Sequence, residues 1–165
     1  MVKTKLTKQE VLDLHNGLHA VGHLSGVKFA YAVSRNISKI KPEVIALQKG
    51  FDIKPEFEEY EKERQVLAKS QAIQARGKPQ QKVEGGIAKF VIKDQKIFDS
   101  KLKALKKKHK KAVDGREKQM KEFKLLLEEK IEIELYQVVL KDVPEGISAK
   151  QMSSILPIVT EDLTN

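Results

Sequence analysis

The sequence predicts a mainly α fold, a long antiparallel helical hairpin with an added N-terminal helix, a small β element and a short C-terminal helix. Three observations predict it. Apolar residues step by threes and fours through most of the 165 residues, the signature of one buried helical face. A third of the residues are charged, only 5% are aromatic and none is Trp, which suits solvated helices with a narrow apolar seam. Gly77, Pro79, Gly85 and Gly86 interrupt the helical period about midway, where a hairpin would turn. The length fits one domain, 1–165.

Taken in order, a helix is expected over 7–24. Thr7 and Glu10 have capping-box spacing, Leu6 can staple onto Val11, and Val11, Leu14, Leu18 and Val21 share a face. Residues 26–76 read as a kinked or broken helix, with Phe29, Val33, Ile37, Ile40, Val44 and Leu47 as its first stripe. Pro42 lies inside that stripe, which predicts a kink or restart near Lys41, and Pro55 suits the first turn of a new helix. The stretch 77–94 is expected to be a tip loop or β-hairpin. From 95 to 130 a basic helix follows, with Phe98, Leu102, Leu105, Ala112, Met120, Phe123 and Leu127 at heptad-like, coiled-coil steps.

At 131–143 the period falls to two, which predicts a strand. Ile131, Ile133 and Leu135 alternate with Glu132 and Glu134, and the parity switches at Tyr136, Val138 and Leu140. A lone strand leaves its ladder unpaired. Val2, Thr4 and Leu6, alternating with Lys3 and Lys5, make the N-terminus its candidate partner. Its other edge is expected to add to a second chain, which marks Ile133, Leu135, Tyr136, Val138 and Leu140 as a partner-binding strand. Ser148 and Gln151 have capping-box spacing for a short helix over 148–157 that Pro157 disrupts.

The net charge of +9 is uneven. Residues 91–130 carry 14 basic and 7 acidic groups, and 131–165 carry 2 and 6. Lys101, Lys103, Lys106, Lys107, Lys108, Lys110 and Lys111 form the densest run, a candidate nucleic-acid or anionic-ligand surface. Glu56, Glu58, Glu59, Glu61 and Glu63 would lie alongside if the hairpin closes. The expectation is therefore that the lysine charge is mostly neutralised internally, and nucleic acid is the less favoured partner. His109 and Arg116 occupy seam positions and are expected to set register.

His15, His19 and His23 recur every four residues on one helical face. Such spacing can present two imidazoles to Zn²⁺, but the third lies two turns away and no H-E-x-x-H carboxylate accompanies them. They are read as a helix border, with no metal and no cofactor. No cysteine is present, so disulfides and thiolate chemistry are excluded. Gly85-Gly86 lacks the Lys-Ser/Thr of a phosphate loop, and no serine sits in a nucleophile elbow. No catalytic residue is assigned and no enzyme is expected. No run of 18 apolar residues and no apolar leader stretch are seen, so neither a membrane span nor secretion is expected.

The stretch Gly26-Val27-Lys28-Phe29-Ala30-Tyr31-Ala32-Val33-Ser34-Arg35-Asn36-Ile37, with Glu56-Phe57-Glu58-Glu59-Tyr60 and Phe90-Val91-Ile92-Lys93-Asp94, resembles a family of small uncharacterised tailed-bacteriophage proteins. Ile131-Glu132-Ile133-Glu134-Leu135-Tyr136 and Ser148-Ala149-Lys150-Gln151 match the same pattern, whereas the Lys-rich stretch departs from it. The resemblance implies a viral origin and supplies no catalytic residue to carry over. On this footing the expected function is a non-enzymatic phage accessory protein that binds another protein, as a virion or assembly component. The alternative is a host-directed inhibitor that engages nucleic acid or its machinery through the Lys101–Lys111 face. A metal-dependent enzyme on the histidine stripe comes last. The expected location is the host cytoplasm or the virion.

Overall fold

The structure, a computed structural model, describes residues 1–161. It is mainly α. The elements run β1 (Val2–Thr7), α1 (Lys8–Val21), α2 (Val27–Phe51), α3 (Pro55–Ser70), β2 (Gln74–Ala75), β3 (Lys78–Pro79), β4 (Gln81–Glu84) and β5 (Ile87–Phe90). They continue with α4 (Gln95–Lys108), α5 (Lys110–Glu128), β6 (Lys130–Leu135), β7 (Val138–Val139), α6 (Ala149–Ile155) and β8 (Val159–Thr160). Two compact units result: Met1–Phe51 with the chain from Glu122 onward, and Asp52–Lys121.

The first unit holds the hydrophobic core. Thr7 caps α1 in a reciprocal box with Glu10, as its sequence spacing predicts, and Val11, Leu14, Leu18 and Val21 are buried. α2 runs unbroken through Pro42, and the chain breaks at Asp52–Lys54, where Pro55 opens the next helix as expected. The expected restart near Lys41 does not occur. A stripe of buried residues on both sides of Pro42, Ile40 and Val44 among them, anchors the helix across the lost hydrogen bond. That stripe passes through Asn36 rather than Ile37, which is only half-buried.

β1 and β6 pair antiparallel in the register Val2 opposite Leu135 to Thr7 opposite Lys130, so the N-terminus is the strand's partner. Lys3 reaches Glu132 at 3.1 Å, a diagonal cross-strand charge pair. The expected strand over 131–143 is shorter than its pattern. β6 ends at Leu135, and β7 then pairs parallel with β8. Between them, Asn36 Oδ1 accepts the Tyr136 N–H and Asn36 Nδ2 donates to the Tyr136 carbonyl oxygen, both at 2.9 Å. A buried side-chain amide thus replaces one rung of ladder at the parity switch, satisfying backbone groups that burial would otherwise penalise. α6 begins at the Ser148–Gln151 capping box and packs on α1 at Gly17. A Cβ at Gly17 would lie 2.6 Å from the Ser154 carbonyl oxygen, so only glycine permits this approach.

The second unit is the helical hairpin. α3 packs on α4, and the 71–93 tip between them forms two short hairpins, one starting before the expected 77. Gly85 and Gly86 both have positive φ (60° and 79°), as the two-residue turn joining β4 to β5 requires. The basic helix expected over 95–130 is divided at the single residue His109. Backbone bonds from His109 N–H to Leu105 O and from Val113 N–H to His109 O carry the chain across this break. Met120, placed on the seam by its spacing, is instead 52% exposed.

Candidate functional site

The lysines of 101–111 all lie exposed on α4 and the first turn of α5. The antiparallel pairing brings α3 beside them, and Lys108 Nζ meets Glu63 Oε1 at 2.7 Å. The expected neutralisation stops there. Glu61 is taken by Arg64 on its own helix, and Glu56, Glu58 and Glu59 hold no lysine of the run within 4 Å. Among the described residues, Lys101, Lys103, Lys106, Lys107, Lys110 and Lys111 have no acidic partner. The reason is helical: a stripe facing a neighbouring helix recurs every three or four residues, so most of so dense a run must face water. The acidic helix meets the basic one along one line of contact only.

That line is built from Phe57, Tyr60, Glu63, His109 and Arg116. The Tyr60 ring meets His109 edge-on at 5.9 Å, and the Arg116 guanidinium lies 5.9 Å from the centre of the Phe57 ring. His109 and Arg116 therefore face α3, in keeping with a register role. His109 is 90% buried at its side chain. Its Nε2 lies 3.2 Å from Glu63 Oε1 but out of alignment, and has no hydrogen-bond partner. Lys108, and after it His109, hold the Glu63 carboxyl below its usual range, while burial raises the Tyr60 phenol.

Beside this contact is a cleft of about 570 Å³, lined by Lys54, Glu56 and Phe57 from the start of α3 and by Lys108, His109, Lys111, Ala112, Gly115, Arg116 and Gln119. Gln119 Nε2 donates to the Asp52 carbonyl oxygen at 3.1 Å, and Arg116 Nη1 donates to Gln119 Oε1 at 2.9 Å. Sequence spacing did not bring these residues together, because Lys54 and Phe57 stand more than fifty positions before Lys111. The seam positions of His109 and Arg116 were the available signal.

The remaining sequence candidates fall in the first unit. His15 and His19 approach with Nε2 atoms 3.2 Å apart, an arrangement in which one imidazole donates and the other accepts. Burial, followed by the charge of His19, lowers the His15 pKa. His23 is exposed, and among the described residues no group of three His, Asp or Glu is placed to hold a metal. The expected partner strand divides into β6, which pairs only with β1 among the described residues, and β7. Leu135 and Val138 are buried in this unit's own core, Ile133 and Tyr136 pack against it, and Leu140, 51% exposed, begins a 3-10 turn. Val138, whose partner was expected on a second chain, is paired by Val159.

No helix among the described residues is long and apolar enough to cross a membrane. No protein-family model, curated protein or solved structure matches this chain, so its geometry and charge carry the functional argument.

Proposed function

We propose that this is a non-enzymatic binding protein that takes a polyanionic partner, nucleic acid foremost, on the lysine face of its Asp52–Lys121 unit. One observation carries the reading. Residues 52–121 hold 20 Lys and Arg against 11 Asp and Glu, a net of +9, while the rest of the chain holds 12 against 12. The whole net charge therefore belongs to the unit with the smaller core, and six of the seven run lysines have no acidic partner among the described residues. Concentrated like charge destabilises a compact unit through self-repulsion, and a polyanion removes that cost by counterion release.

The resemblance to small tailed-phage proteins gives the reading its setting, a phage accessory protein directed at nucleic acid or its machinery in the host. The virion-component reading rests on long helices and edge strands that suit docking, and burial of Leu135 and Val138 in the chain's own core removes part of the strand ground. Fluorescence anisotropy with a labelled 20-nucleotide single strand and the matching duplex, at several salt concentrations, tests the proposal. A log–log salt slope of about −3 to −5 is expected, flattening when Lys101, Lys103, Lys106, Lys107 and Lys110 become Gln together. A slope near zero, or one unchanged by those five substitutions, overturns it.

A further inference from the structure

We propose that the cleft beside His109 binds a nucleoside phosphate, an inference that goes beyond the lysine-face reading and does not depend on it. Lys54, Lys108, Lys111 and Arg116 surround the cleft, with Glu56 as the one carboxylate in its lining. Cations at this density suit a phosphate group. The Phe57 ring and the Arg116 guanidinium beside it supply flat surfaces of the kind on which bases stack. At about 570 Å³ the cleft lies in the size range of small-ligand sites.

One local cost falls on the same cleft. Gly115 stands inside α5, where glycine weakens a helix, yet its φ is ordinary and a Cβ there would meet nothing within 4 Å. Neither packing nor backbone conformation requires it, but it keeps one wall of the cleft open. Departures of this kind concentrate at sites selected for binding rather than stability. In the proposed complex the phosphate lies among Lys54, Lys108 and Lys111, and the base lies against Phe57. The same group can arrive as a free nucleotide or as the phosphorylated end of a strand.

Calorimetric titration of the full chain at about 0.15 M ionic strength with AMP, inorganic phosphate and adenosine tests the site. AMP is expected to bind at least about tenfold tighter than either fragment. Lys54→Gln should weaken AMP and phosphate together, and Phe57→Leu should weaken AMP while leaving phosphate unchanged. Gly115→Ala should raise the melting temperature yet weaken AMP, a combination that a purely structural glycine would not give. The fivefold lysine variant described above, which spares Lys54, Lys108 and Lys111, should keep AMP affinity, so failure of the lysine face and failure of this site are separable. A 5′-phosphorylated tetranucleotide that binds tighter than AMP, and loses that advantage with Lys54→Gln, identifies a strand end as the source; equal affinity identifies the free nucleotide. AMP binding no tighter than phosphate, or unaffected by Lys54→Gln, overturns the proposal.

Discussion

Met1–Phe51 with the chain from Glu122 onward contains every residue of the main hydrophobic cluster, from Leu6 and Val11 to Ile155 and Ile158, and carries no net charge. Asp52–Lys121 carries the entire +9 and buries only Tyr60, Ala72 and Phe98 among the described residues. The contrast shows two ways of holding a chain in shape. One unit buries apolar surface, worth about 25 cal/mol per Å², and satisfies Asn36, its one buried polar side chain among the described residues, with paired hydrogen bonds. The other relies on one helix–helix line, tight turns and few buried groups. With so little burial, its accumulated like charge makes physical sense as a surface that a partner neutralises.

The largest expected effect separates the two directly. Phe29 is fully buried, and Phe29→Ala should cost about 4 kcal/mol in urea denaturation, the usual range for a core phenylalanine. Phe98, 8% exposed in the thinner unit, should cost less than half as much when replaced by Ala. Equal losses would contradict the division of core between the units.

Asn36→Ala comes next. It strands the N–H and carbonyl of Tyr136, and leaving buried backbone groups unsatisfied should cost about 2–3 kcal/mol. Loss of hydrogen-exchange protection at Tyr136 would locate the damage.

Two mid-helix glycines then give opposite signs. Gly17→Ala should destabilise by about 1–3 kcal/mol, because the new Cβ would press on the Ser154 backbone. Gly115→Ala should stabilise by about 0.5–1 kcal/mol, because it meets nothing and alanine favours the helix. Melting of the two variants side by side checks both.

Much of the architecture was legible in the sequence because it follows from short-range chemistry. The two capping boxes, Pro55 opening α3, the Gly85-Gly86 turn and the alternation of β6 opposite β1 all depend on residues within a few positions, or on complementary alternation. Tertiary effects were not legible. Asn36 occupies a position that helical spacing alone assigns to an apolar side chain, and its role appears only when Tyr136, a hundred residues on, is beside it. The strand pattern through Val138 suggested a single long strand because a side-chain amide and a two-residue parallel pair imitate its period. The charge pattern located the lysine run, but only helix geometry shows that a single contact line leaves most of its charge unpaired.

The smallest effect concerns pH. The Glu10 carboxyl is held below its ordinary pKa, first by its hydrogen bond from the Thr7 N–H and then by the Thr7 side chain. A depressed folded pKa means that this stabilisation is full above the ordinary carboxylate value and is lost as pH falls through the lowered one. Glu10→Gln should therefore lower the stability of the cored unit slightly at neutral pH and leave it almost unchanged in acid, which flattens the profile followed by thermal melts at stepped pH.

The central claim, that the charged and thinly cored unit is the binding surface, is tested most directly by NMR titration of the full chain with a short single-stranded oligonucleotide at about 0.15 M ionic strength. The account predicts saturable amide shifts concentrated in 101–111 and at Lys54 and Phe57, with core residues such as Leu14, Phe29 and Leu135 unmoved. Shifts confined to Met1–Phe51 and the chain after Glu122, or no saturable shift anywhere, would contradict it.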